Sequence, residues 1–373
     1  MFQPLFAYTA DPHLQEGAWA NRPEIAGDSY RSFHQIIQYC VTNRLSLVLG
    51  GDIFDKRSPP ATAVNTFLYG ADTLAHAGQT IYFVQGDHCF SAALPWPLLA
   101  PHGVKHLPAI ADGVTIGGML IRGIDWTPTH ELKAKLDTVP ECHILVTHQA
   151  WAEVQRIGAT EGSLNDIRFP CVVLSGDYHQ PVRMVHKQIK FYSAGSTCMQ
   201  AIDEMPDKSF LVVGLEDGMP SVQVIPLLTR PCYRMRINQV ADLNDVTRIV
   251  ESLVQAQMSV AANLRIAPAD TKPLLRVTYH ETVPGVKSTI ENLCGDRLHL
   301  FWDPKATVDN VVVDYDAMSS GRAFDGLLAA VNTLEPNATD VTSGLERLLC
   351  TGNDLAAELD AMKLEATQLA NGS

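Results

Sequence analysis

The chain predicts an α/β domain over about its first 230 residues. Short apolar runs alternate there with segments of helical periodicity. The runs lack the in-out alternation of a half-exposed sheet, and one after another ends on Asp or His. Such runs read as strands buried on both faces. Their alternation with helices is the pattern of α/β architecture.

Leu5-Phe6-Ala7-Tyr8 is the first run and leads to Asp11. Phe33, Ile36, Ile37, Cys40 and Val41 then recur at helical spacing. Leu45 to Leu49 is the second run and ends on Gly50-Gly51-Asp52. Ala61 to Ala77 is again helix-like. Ile81 to Val84 ends at Gly86-Asp87-His88, Ile144 to Val146 at Thr147-His148, and Cys171 to Leu174 at Gly176-Asp177. In open α/β sheets, ligands gather at the carboxyl ends of strands. Residues far apart in sequence are therefore expected on one rim.

Phe210 to Leu215 and Ser221 to Pro226 predict a closing hairpin around Glu216-Asp217-Gly218. Thr229-Arg230-Pro231 reads as a linker. A strand (Tyr233 to Ile237), a helix (Asp242 to Gln257), a strand (Leu274 to Tyr279) and a further helix then suggest a small α+β module ending near Phe301. Past Pro336, Leu345, Leu348, Leu349, Leu355, Leu359, Met362 and Leu369 suggest one or two amphipathic helices, broken at Gly352-Asn353. The expected domains are residues 1–230, 231–320 and 321–373.

Composition narrows the class. Of 373 residues, 46% are hydrophobic and 18% charged, which supports a sizeable core and argues against global disorder. No apolar run reaches the ~20 residues that span a bilayer. Met1 to Ala10 lacks a basic flank and reads as a strand rather than a signal peptide. Eight cysteines are scattered without a C-x-x-C pair, as expected of reduced thiols in a soluble cytoplasmic protein. The net charge of −13 weighs against nucleic acid, because phosphate contacts need Lys and Arg. Metal-binding carboxylates also contribute to that charge, and bound cations would cancel it.

The polar residues at the strand ends are Asp11 with His13, Asp52 with Asp55, Asp87 with His88, His148, and Asp177 with His179. Taken singly they mean little: an Asp after a strand is more often a turn former or helix cap. Together they are too many ligands for one metal ion and suit two. Carboxylate with imidazole fits Mn, Fe or Zn, and added oxygen ligands shift preference towards Mn or Mg. Asp52, in a Gly-Gly-Asp turn, is the natural bridging carboxylate. Asp55 is expected to cap or orient.

This order resembles that of the calcineurin-like metallophosphoesterases: D-x-H, G-D-x-x-D, G-N-H-D/E, a lone His, then G-H-x-H. The matching segments are Asp11-Pro12-His13, Gly51-Asp52-Ile53-Phe54-Asp55, Gly86-Asp87-His88-Cys89, His148, and Gly176-Asp177-Tyr178-His179. Gly51 to Asp55 followed by Pro59, with the later α+β module, resembles the SbcD nuclease branch. The resemblance implies a four-layer sandwich of two mixed β-sheets flanked by helices, then a DNA-capping domain and a helical C-terminal tail. It implies that Asp11, His13, Asp52 and His179 hold one metal and Asp52, Asp87, His148 and Asp177 the other. His88 would face the scissile phosphate. The implied activity is DNA exonuclease, with endonuclease activity open, in recombination or repair. The implied partners are DNA, a second copy of the chain and an SbcC-type SMC-like ATPase bound through the tail, whose apolar stripe fits a helix-in-groove mode. No membrane partner is implied.

Three residues depart from that pattern. Asp87 stands for Asn and Asp177 for His, so the ligand set holds four carboxylates, which favours Mn or Mg over Zn. Cys89 replaces an acid and leaves His88 needing another orienting group. Two other readings stay open: a phosphomonoesterase or cyclic-nucleotide phosphodiesterase on the same site, and a scaffold that has lost turnover. His102, His106 and His186 lie outside the pattern and are expected at the surface. Gly195-Ser196 could offer amides to a phosphate or form a tight turn; the turn is the expectation.

Overall fold

The structure is a computed structural model that describes residues 1–15, 25–88, 96–154, 160–280 and 282–305. Cys89 and the expected C-terminal segment, 321–373, lie outside the described residues, as do residues 306–320 of the expected capping domain.

The first half-sandwich is built from β1 (Gln3–Thr9), α1 (Asp28–Asn43), β2 (Ser46–Gly50), α2 (Ala61–His76), β3 (Ile81–Val84) and β4 (Val104–His106). The second comprises β5 (Val114–Ile116), β6 (Met119–Gly123), α3 (Thr129–Asp137), β7 (Ile144–His148), β8 (Cys171–Gly176), β9 (Val182–His186) and β10 (Ile189–Ser193). The chain then returns to the first sheet with β11 (Ser209–Glu216) and β12 (Met219–Pro226). The strand orders are β12-β11-β1-β2-β3-β4 and β5-β6-β7-β8-β10-β9. Both sheets are mixed: the central pairs run parallel, and the β1–β11, β11–β12, β5–β6 and β9–β10 pairs run antiparallel.

Packing shows why the strands carry no visible alternation. On β2, Leu47 and Leu49 join a core with Phe33, Ile36, Ile37 and Cys40 of α1 and Phe67 and Leu74 of α2. Val48 between them faces the other way, into a core with Phe6, Tyr8, Ile144, Val146, Val172 and Leu174. A third core lies under α3, where Leu132 and Leu136 meet Leu145, Val173 and Phe191. Three apolar layers between four layers of backbone make the expected four-layer sandwich. Each fully buried Leu, Val or Phe contributes about 1.5–3 kcal/mol.

The hairpin turns where expected. Glu216 pairs with Met219 across Asp217-Gly218, and both turn residues have left-handed φ (52° and 78°), as a tight two-residue turn requires. The α+β module comprises β13 (Cys232–Ile237), α4 (Val246–Leu264), β14 (Leu274–His280), α5 (Val286–Cys294) and β15 (His299–Lys305). Its first helix starts later than Asp242 and runs past Gln257. Gln239 and Asp242 form a capping box on a short 3-10 turn, and α4 follows that turn. The linker is tied down: the buried Arg230 guanidinium donates to Asp28 Oδ2 at 2.9 Å and to the Lys272 carbonyl at 2.7 Å.

Two minor expectations resolve. His106 is half-buried rather than fully at the surface; it stacks on Phe83 at 4.9 Å, and its Nε2 meets the Asp125 carboxylate at 2.8 Å. The Gly195 and Ser196 amides are already used, by Ser193 Oγ at 3.3 Å and the His179 carbonyl at 3.3 Å, and Gly195 has left-handed φ (77°).

Candidate metal centre

The loops after β1 and β2 continue the parallel pairing of their strands. The Asp11 amide donates to the Gly51 carbonyl at 3.2 Å, His13 to Asp52 at 3.0 Å and Leu14 to Ile53 at 2.9 Å. This zipper sets Asp11 and His13 beside Asp52. It also needs unusual backbone: Asp11, His13, Asp52 and Asp177 all lie in the left-handed region, with φ of 51°, 40°, 46° and 77°. Conformations of that kind in non-glycine residues cluster at functional sites. Gly51, with φ of 100°, is the hinge of the second loop; a Cβ there would lie 2.2 Å from His148 Nδ1, so the backbone can approach the imidazole only as glycine.

The second sheet delivers further candidate ligands. His148 ends β7 and reaches across to the first sheet, where its Nδ1 donates to the Gly50 carbonyl at 2.8 Å. That bond leaves the Nε2 lone pair facing Asp11, Asp52 and Asp87 carboxylate oxygens at 3.6–3.8 Å, beyond hydrogen-bond length. Asp177 follows β8, and its amide donates to Asp11 Oδ1 at 3.2 Å. The His88 amide donates to Asp52 Oδ1 at 3.1 Å, which turns Asp52 Oδ2 towards His13 Nε2 (3.7 Å) and His148 Nε2 (3.6 Å). His13 Nε2 and His179 Nε2 are 3.2 Å apart.

All seven expected ligands converge. Their donor atoms form overlapping groups, each within 4.8 Å: Asp11 with His13 and His179, Asp11 with Asp52 and His148, and Asp87 with His148 and Asp177. His88 joins a fourth group with His13 and Asp52. Its Nδ1 donates to the Asp55 backbone carbonyl at 2.7 Å, so that carbonyl is the orienting partner the sequence left unassigned. The Asp55 carboxylate lies 3.6 Å from His13 Nδ1. The His88 side chain is 45% exposed and Asp87 41%, so these two open the site to solvent.

The residues fit divalent cations by two tests. Asp11 Oδ2 and His148 Nε2 are buried without a hydrogen-bond partner, an arrangement that is costly unless an ion satisfies them. Four carboxylates share one space, and their charge is unbalanced without cations. Burial, with Asp52 and Asp177 nearby, pushes Asp11 up to about 7, although His148 opposes the shift. Burial works against charge on His148, yet Asp52, Asp87, Asp11 and Asp177 together push it up to about 10. His13 is driven well below its usual value by burial and by the neighbouring His179, His88 and His148. The cluster thus holds protons in the positions where cations would balance it.

Sequence reasoning missed Glu204. Its Oε1 accepts from His179 Nδ1 at 2.7 Å, and its Oε2 pairs with the buried Lys208 at 2.7 Å. Neither residue ends an apolar run, so the rule that found the ligands passes over them.

No protein-family model matches the chain, and no curated protein matches it. Among solved structures it is similar to an archaeal phosphodiesterase, at 11% identity over 60% of this chain and 99% of that one, with a TM-score of 0.33. It is also similar to Vps29 from Entamoeba histolytica, at 13% identity over 60% and 99% of the two chains, with a TM-score of 0.30. Vps29 from Cryptosporidium parvum is similar at 15% identity over 61% and 99%, with a TM-score of 0.28. Likenesses this distant transfer no function; the site's own geometry has to supply it.

Proposed function

We propose that this chain is a two-metal phosphoesterase of the calcineurin-like class, acting as a DNA nuclease of the SbcD type. One observation carries the hydrolase reading: seven carboxylate and imidazole side chains from five strand ends converge, with buried ligand atoms that lack any other partner. Asp11, His13, His179 and Asp52 would hold one cation; Asp52, Asp87, His148 and Asp177 would hold the other. When bound, such ions supply an activated water and neutralise phosphoryl oxygens. With four carboxylates among the ligands, Mn or Mg is the preferred metal.

The protein's own contribution is orientation and proton delivery. The bond to the Asp55 carbonyl fixes which nitrogen of His88 is free: Nε2 faces the open side of the site. Burial lowers the affinity of His88 for a proton, but the Asp55 carbonyl and the Asp52 and Asp87 carboxylates raise it above the usual histidine range. His88 is placed to protonate the leaving oxygen of the scissile ester. Asp11 and His148, wholly buried, keep their side of the centre dry.

DNA as substrate draws support from charge distribution. Residues 230–305 hold ten Lys and Arg against eight Asp and Glu, whereas the rest of the chain holds 18 against 33. A locally basic module beside an acidic hydrolase is where phosphate contacts would fall. In this reading that module caps the DNA, the chain works as a homodimer, and residues 321–373 dock on an SMC-like ATPase.

A nuclease assay on linear single- and double-stranded DNA with Mn, Mg or chelator tests the proposal, with His88→Ala and Asp52→Ala run beside the wild type. Metal-dependent cleavage lost in both variants is the expected result. Metal binding without cleavage, even with the ATPase added, would leave a scaffold. Faster turnover of p-nitrophenyl phosphate than of DNA would replace the nuclease with a monoesterase.

A further inference from the structure

Among the seven expected ligands, His179 is the imidazole least secured by its surroundings. The His148 and His13 side chains are 0% and 4% exposed, whereas that of His179 is 35% exposed. Packing fixes the first two rings. His179 has to be held by bonding: its Nε2 lies 3.2 Å from His13 Nε2, and its far nitrogen, Nδ1, is held by Glu204 Oε1 at 2.7 Å.

The Glu204 carboxylate is itself built for that task. Its other oxygen, Oε2, takes Lys208 Nζ at 2.7 Å, Ser196 Oγ at 3.1 Å and the Gln200 amide at 3.2 Å. All three donors fall on Oε2, so Oε1 is kept for the imidazole. Lys208 is 1% exposed and also donates to Ser196 Oγ at 2.8 Å and to the His179 carbonyl at 3.3 Å. A buried Lys-Glu pair is poor value as stability alone, because the desolvation of both ions offsets most of their attraction. The cap-side strand β13 adds a further tie, from the Arg234 guanidinium to the Glu204 backbone carbonyl.

We infer that Glu204, clamped by Lys208 and Ser196, is a positioning residue for the first metal position: it fixes the tautomer and rotation of His179 so that Nε2 is presented beside His13 and Asp11. The inference rests on the two-metal reading of the site. A carboxylate on the far nitrogen of a ligating histidine orients the ring and raises its basicity, and losing such a group typically costs 10–100-fold in metal affinity. The position of His13 and Asp52 does not depend on Glu204, so the effect should fall on one ion of the pair.

The test is manganese binding by the full chain, followed by titration calorimetry and by the electron-spin-resonance signal of a coupled Mn pair. Wild type should bind two equivalents and give the coupled signal; failure to do so would overturn the two-metal reading and this inference with it. Glu204→Gln keeps an acceptor for His179 and Lys208 but removes the charge. It should weaken one equivalent about tenfold or more, and replace the coupled signal by that of isolated Mn, while the metal-stripped protein stays folded but melts lower, because Lys208 loses its counter-charge. Two equivalents within twofold of wild type would overturn the inference while leaving the two-metal site standing. Should Glu204→Gln not fold, the double variant Glu204→Leu, Lys208→Met leaves no unpaired buried charge; a retained coupled pair there would be equally decisive against it.

Discussion

Gly86 offers a sharp test of the centre, because a single methyl group there is aimed at one ligand. A Cβ at this position would lie 2.0 Å from Asp52 Oδ1 and 2.7 Å from the Asp52 amide nitrogen, where ordinary contact begins at 3.4 Å. The carboxylate would have to move by about 1.4 Å, the difference between 3.4 and 2.0 Å. Asp52 Oδ1 also receives the His88 amide, so the same methyl disturbs the residue proposed to protonate the leaving group. Misplacement by about 1 Å can cost 10²-fold in rate. Overpacking costs about 1–3 kcal/mol of stability, partly offset by the ~0.4–1 kcal/mol that Gly→Ala gains from the unfolded chain. Gly86→Ala is therefore expected to remain folded, to bind Mn at least tenfold more weakly, and to hydrolyse bis-p-nitrophenyl phosphate about 100-fold more slowly. Calorimetry, a thermal melt and the hydrolysis assay read the three terms separately. A variant with turnover and Mn affinity within threefold of wild type would show that Asp52 is not the shared ligand.

Other consequences are equally open to measurement. His88→Ala should bind two Mn as wild type does while hydrolysis falls about 10²–10⁴-fold; loss of an ion would make His88 a ligand instead. Metal analysis of active protein should find Mn or Mg, and full zinc or iron occupancy would contradict the four-carboxylate argument. Asp11 and His148 are both raised, to about 7 and about 10. A raised group binds its proton more tightly in the folded state, so stability is lost as pH rises from the unfolded value to the folded one. Metal-stripped protein should therefore lose stability from about pH 4 to pH 7 through Asp11 and from about pH 6.5 to pH 10 through His148. Saturating Mn should flatten that slope; denaturation midpoints at pH 5, 7 and 9 that rise with pH in chelator would refute it. Arg236, exposed on β13, should contribute to DNA affinity but not to chemistry. Arg236→Ala should reduce the salt slope of DNA binding by about one and leave bis-p-nitrophenyl phosphate turnover alone.

The candidate ligands were legible in the sequence because parallel strands buried on both faces become short apolar runs, and the rim residues directly follow them. Asp52 after Leu45–Leu49 and His148 after Ile144–Val146 are examples. The elements that escaped have no such contrast. β5, β6 and β9 are short and only partly buried, so their runs merge with loop sequence. The link from His88 to the Asp55 carbonyl is to backbone, which carries no residue signature. Glu204 follows His179 by 25 residues, beyond the β9–β10 hairpin, and ends no apolar run.

The left-handed backbone at Asp11, His13, Asp52 and Asp177 has a consequence for how this protein can change. Each such residue holds a conformation costing of order 1–3 kcal/mol, and three of the four add like charge to a crowded space. Replacing any of those aspartates by glycine would relax the backbone and remove repulsion, so the inactive chain should be the more robust one. In the proposed hydrolase, stability and turnover pull against each other. Simple drift towards a sturdier fold would erase this site first, and a chain that still carries all four residues carries them against its own thermodynamic interest.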